Sequence, residues 1–84
     1  MQIEVKTGDT LIHPVHGPMK VTNVNPAEYE EFINATQAYE KGYRIEAVFD
    51  RFIPGVQKAI KDARGERISA LVFHSWYLRN LTKG

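Results

Sequence analysis

The chain has 84 residues, a net charge of +1, no cysteine and 43% hydrophobic content, which fits one small folded domain rather than a disordered segment. Without cysteine there is no disulfide, no thiolate metal site and no thiol nucleophile, and an unbraced small domain is expected in a reducing compartment, here the cytoplasm. So short a chain buries only about 60–65% of its unfolded surface, which disfavours a water-excluding catalytic cleft and leaves open a homodimer in which two copies share surface.

Met1 to Lys6 lacks the charged start and apolar run of an export signal, so none is expected. No stretch approaches the ~20 apolar residues of a membrane span, so no membrane partner is expected either. Gly8-Asp9 leads into a strand at Thr10-Leu11-Ile12-His13, and His16-Gly17-Pro18 is a turn signal before a second strand, Met19 to Val24. The spacing then predicts a helix from Pro26 to Lys41. Asn25 is its N-cap, Glu28, Glu30 and Glu31 lie near the positive end of its dipole, and Gly42 is its stop. Tyr29, Phe32, Ile33, Thr36 and Tyr43 form its apolar stripe.

Arg44 to Ile53 alternates as a strand, with Ile45, Ala47, Phe49 and Ile53 on one face. Val56 to Arg64 fits either a helix stripe or a strand that turns at Arg64-Gly65-Glu66, with the period leaning to helix. Ile68 to Phe73 is the most apolar strand and is expected at the centre. Ser75 caps a last helical turn, with Trp76, Leu78 and Leu81 packing back. The expected class is therefore α+β: a small twisted antiparallel sheet, or a partly closed SH3/Tudor-like barrel, with an inserted amphipathic helix.

Residues 8–17, Gly-Asp-Thr-Leu-Ile-His-Pro-Val-His-Gly, with Met19 to Val24 in register behind them, resemble the opening hairpin of the RNA-polymerase-interacting domain of CarD-like transcription regulators and transcription-repair coupling factors. The resemblance covers roughly residues 8–24. It implies a small SH3/Tudor-like barrel and a non-catalytic module that docks onto polymerase or rides along nucleic acid. Where that family has a short loop this chain has residues 26–41, and Pro18-Met19 replaces its second glycine.

His13, His16 and His74 are the only histidines. With no cysteine and no carboxylate placed to orient them, no metal or other cofactor is expected. His74-Ser75 are neighbours in sequence, an arrangement that points side chains apart, so no enzyme is expected. Charge is uneven. Residues 1–43 carry three lysines against six acids, and residues 44–84 carry eight cations against four. An acidic front and a basic back can steer a polyanion to one face. The candidate nucleic-acid contacts are Arg44, Arg51, Lys58, Lys61, Arg64, Arg67 and Arg79 for phosphates, with Trp76 and Tyr77 for stacking on bases. The expected function is a regulatory module that binds nucleic acid, RNA ahead of DNA, through this basic half and acts by occupancy. The rival is an adaptor or inhibitor that docks on RNA polymerase or another protein machine through the N-terminal hairpin and the acidic helix.

Overall fold

A computed structural model describes residues 5–84, the side chain of Pro26 excepted; Met1 to Glu4, part of the opening read above for an export signal, lie outside the described residues. Strand β1, Thr10–His13, returns as β2, Gly17–Ile33. Gly17 has φ +86°, a left-handed conformation that glycine adopts without strain. The turn is closed from inside: His13 Nδ1 accepts from the Val15 amide at 3.1 Å and the His16 amide at 3.2 Å. Strand β3, Ala38–Val48, pairs along β2. Strand β4, Lys58–Lys61, pairs with β5, Arg67–His74, which in turn pairs with β3. A 3-10 helix, Ser75–Asn80, leads to the short β6, Thr82–Lys83, on the far side of β1. The strands form one antiparallel sheet in the order β4-β5-β3-β2-β1-β6.

Residues opposite one another across an antiparallel pair share a face, so alternate positions of β1, β2 and β3 bury one continuous layer. Leu11, Met19, Val21, Ile45, Ala47 and Phe49 make that core, closed by Val5 and by Leu78 and Leu81 on either side of the chain's last turn. Ser69 is one of two buried polar residues among those described, with His74, and its hydroxyl is satisfied. It accepts from the Ile53 amide at 2.7 Å and donates to the Ile53 carbonyl at 3.1 Å, which ties the loop after β3 to β5.

The α+β expectation is overturned: strand accounts for 57% of the described residues, and no helix among them reaches seven residues. The segment expected as the helix 26–41 is the distal half of the β2–β3 ribbon and its turn. Three local features decide it. Asn25, expected as an N-cap, accepts from the Ala27 amide at 3.0 Å inside a register shift, so the same side-chain bond makes a bulge instead. Asn34 to Gln37 make a tight turn, with Gln37 and Thr36 amides on the Ile33 carbonyl at 2.8 and 3.2 Å. Beyond it, Phe32 faces Tyr39 across the ribbon, and aromatic residues gain more from such a pair than from an exposed helix.

The expected strand Arg44 to Ile53 ends at Val48, where the chain bends toward Ser69. Of Val56 to Arg64, residues 58–61 are the edge strand β4, not a helix. Gln57 stands in for the missing neighbour where β4 stops: its side-chain oxygen accepts from the Val72 amide at 2.8 Å. His74, rather than Ser75, caps the 3-10 helix, its Nδ1 accepting from the Trp76 amide at 2.9 Å.

Candidate binding surfaces

The ribbon leaves the body where β5 ends, at the level of the Arg44–His74 pair. Beyond it, Tyr29, Glu30, Glu31, Phe32 and Ile33 face Gly42, Lys41, Glu40, Tyr39 and Ala38 in register. Successive pairs alternate faces. Phe32–Tyr39 and Glu30–Lys41 therefore share one side of this arm, and Glu31–Glu40 occupies the other. The two rings meet edge to face with centroids 5.4 Å apart, yet Phe32 remains 44% exposed and Tyr39 68% exposed. Four glutamates against one lysine make the arm acidic. Glu28 reaches Lys41 at 3.5 Å, whereas neither Glu31 nor Glu40 has an ion-pair partner among the described residues.

The base of the arm is locked by close packing. Gly42 lies against the 3-10 helix so tightly that a Cβ there would fall on Ser75 Oγ and within 2.6 Å of His74 Cε1. The Tyr43 amide donates to Ser75 Oγ at 3.1 Å. His74 is buried; because its Nδ1 accepts from Trp76, its Nε2 carries the proton and faces the Tyr29 carbonyl at 3.3 Å. The Arg44 guanidinium covers the Tyr29 ring at 4.2 Å and donates to its hydroxyl. This histidine is a positioning group, and its ring is not open to a substrate.

At the opposite end of the sheet, the turn between β4 and β5 is built on Asp62. Its Oδ1 accepts from the Arg64 and Glu66 amides, both at 2.9 Å, and Gly65 takes φ +81°. Those amide bonds, the Glu66 one foremost, hold the Asp62 carboxyl below its usual range, with the Arg64 charge adding to them. The turn places Lys61 directly opposite Arg67. Arg67 lies over Phe52 at 4.4 Å, and Phe52 is 41% exposed. Neither cation has an acidic partner among the described residues.

The other residues expected to hold nucleic acid are dispersed. Arg51 reaches Asp50 at 3.2 Å and donates to the His16 carbonyl at 2.7 Å. Lys58 pairs with Glu46 at 3.4 Å, and Arg64 with Asp62 at 3.5 Å and Glu66 at 3.6 Å. Arg44 and Arg79 lie over Tyr29 and Trp76. Trp76 and Tyr77 belong to the 3-10 helix, past the other end of β5 from Arg67, and Tyr77 packs on the core. Of the nine, only Lys61 and Arg67 are brought together free of acids, with Phe52 beside them. Both were named from the sequence; the cue that sets them apart from the other candidates is their placement on either side of a Gly-containing turn between two β-prone runs.

The β1–β2 turn is a smaller feature. His13 and His16 stack at 4.9 Å and both meet the Phe49 ring edge-on, while Val15 projects from the tip. Burial, with the neighbouring His16 charge second, holds His13 below its ordinary pKa. An open groove of about 370 Å³ runs beside this hairpin over Met19, Val48, Phe49 and Ile68. No group of three His, Asp or Glu among the described residues is placed to hold a metal. No helix among them is long and apolar enough to cross a membrane. Compared with models of protein families, with curated proteins and with solved structures, the chain finds no match.

Proposed function

We propose that the chain is a non-enzymatic module that engages another protein through its arm and acts by occupying it. The Phe32–Tyr39 pair carries this reading: two large rings are held in the open at the end of a projecting ribbon whose base is fixed by the Gly42, Ser75 and His74 contacts. Preordered aromatic anchors of this kind lose little entropy when they enter a cleft and dominate binding energy where they do. The acidity of the arm favours a cleft with a basic rim. RNA polymerase is the first partner to test, because the β1–β2 hairpin is where the chain resembles polymerase-interacting domains.

The test is direct binding of the purified chain to purified bacterial RNA polymerase core enzyme. The double change Phe32→Ser and Tyr39→Ser is expected to weaken that binding at least about tenfold, the loss of one hot-spot contact or more. Equal binding by the variant would remove the arm from the reading, and no binding by the parent would remove the polymerase.

A second reading rests on Lys61, Arg67 and Phe52. Two uncompensated cations beside an exposed ring suit a phosphate and an unpaired base, which favours single-stranded RNA over duplex DNA. Binding to a mixed RNA pool that falls with salt and is lost on Lys61→Glu with Arg67→Glu would support it. Absence of binding at low salt would sink it.

A further inference from the structure

Strand β4 is an edge of the sheet, paired with β5 on one side only. The backbone bonds fix which of its groups face outward. Ser69 accepts from the Phe49 amide and donates to the Arg51 carbonyl, so its backbone turns toward the β3 side. That direction alternates along a strand. Ile68 and Ala70 therefore turn toward β4, where they meet Ile60 and Lys58. The Asp62 amide, on the Glu66 carbonyl at 2.9 Å, continues the same ladder. Ala59 and Lys61 are left directing N–H and C=O away from the sheet, at sites roughly 7 Å apart. Both residues are exposed, and these groups have no hydrogen-bond partner among the described residues. The adjoining stretch of β5 is treated differently: Gln57 Oε1 takes up the Val72 amide where β4 stops.

We infer that this edge accepts an extended acidic segment of a partner protein as a further, antiparallel strand. Main-chain bonds to Ala59 and Lys61 give the contact its register. Charge selects the occupant. Lys61 and Arg67 share one face of the edge, beside Phe52, and neither forms an ion pair among the described residues. Lys58, on the other face, is matched with Glu46 at 3.4 Å. Lysine on an edge strand opposes pairing with a second copy. Two β4 strands joined about a two-fold axis would crowd the Lys61 and Arg67 of both copies onto one face. The same cations attract glutamate or aspartate on an incoming strand. An RNA supplies phosphates but no row of amides and carbonyls at strand spacing. The contact uses no residue of the arm, so it does not rest on RNA polymerase being the partner. It shares Lys61 and Arg67 with the RNA reading and adds a demand on the backbone that RNA does not make.

The probe is the end-blocked peptide acetyl-Glu-Val-Glu-Val-Glu-amide, titrated into the intact chain and followed by backbone amide shifts. Opposite Ala59 and Lys61, an antiparallel strand turns a residue's side chain to the Lys61–Arg67 face and its amide toward β4. The glutamates meet both demands. Saturable shifts centred on residues 58–61 are expected, weakening as salt rises. N-methylation of the glutamates should abolish binding, and N-methylation of the valines should leave it. On the protein, Ala59→Pro removes an outward N–H at a position where an edge strand tolerates proline. It should weaken binding about fivefold or more, the worth of one net hydrogen bond. Lys61→Glu with Arg67→Glu should weaken it at least about tenfold and transfer binding to acetyl-Lys-Val-Lys-Val-Lys-amide, which also shows that the variant is folded. Absence of saturable binding overturns the inference. So does equal binding of the glutamate-methylated peptide, or self-association of the parent chain through β4. RNA binding that ignores Ala59→Pro, with no peptide binding, removes this contact and keeps the RNA reading. Loss of polymerase binding in the Phe32, Tyr39 variant with peptide binding intact supports two separate surfaces.

Discussion

The body and the arm of this sheet are made from the same two strands and are held by different forces. In the body, β2 and β3 contribute Met19, Val21, Ile45 and Ala47 to a layer covered by β1, the 3-10 helix and the chain around Phe49. In the arm the same strands have only each other, and an isolated pair of strands is marginal in water. The body is therefore held by burial, and the arm by cross-strand contacts, a tight turn and a clamped base. A long strand in sequence need not be one energetic unit.

The sharpest way to break that contrast is at Phe49, which is buried under the paired histidines. Phe49→Ala is expected to cost about 3–5 kcal/mol, most of the stability of so small a domain, read as the urea midpoint. At the clamp, Gly42→Ala drives a methyl group into Ser75 and His74 and is expected to cost ~1–3 kcal/mol. It should also speed hydrogen exchange of the arm amides before those of the body.

Acid should act on the body. The folded His13 binds protons less readily than the unfolded chain, whose value is the ordinary 6.5. Its stabilising contribution is thus complete above pH 6.5 and is lost as pH falls below it toward the folded value. His13→Asn keeps a side-chain acceptor for the Val15 and His16 amides and is expected to flatten that part of a stability–pH curve. Asp9, held low first by the Lys6 amide, and Asp62 add a second decline. Their contribution is present above the ordinary 3.8 and lost as pH falls through their folded values. The smallest stability effect should be at the tip, where Phe32→Ala is expected to change the unfolding free energy, read by urea denaturation, by no more than about 1 kcal/mol. A larger cost would mean that the arm is structural and the contrast false.

Strands with one buried face were legible in the sequence. Thr10 to His13, Met19 to Val24 and Ile68 to Phe73 all lie within observed strands because their apolar residues alternate or run together as burial in a sheet requires. The arm was not legible, and the reason is geometric. Tyr29, Phe32 and Ile33 lie on β2, Thr36 in the turn and Tyr43 on β3, and spacings of three, four and seven summed over a strand, a turn and a second strand imitate a helix. A period read across a hidden turn carries no information about either side of it. The candidate binding residues suffered similarly. Charge counting found the basic half, but only pairing registers show that Lys58 and Arg64 are matched with acids and that Lys61 and Arg67 are not.

The alternation of faces along the arm ties length to orientation. Removing the single pair Glu30 and Lys41 would leave every pair beyond it intact but turn the tip half a revolution. Phe32 and Tyr39 would then look out from the side the glutamates hold now. A two-residue deletion, invisible to the core, would exchange what the arm shows to its left and to its right, so lineages carrying such a change would inherit a different interface on an unaltered body.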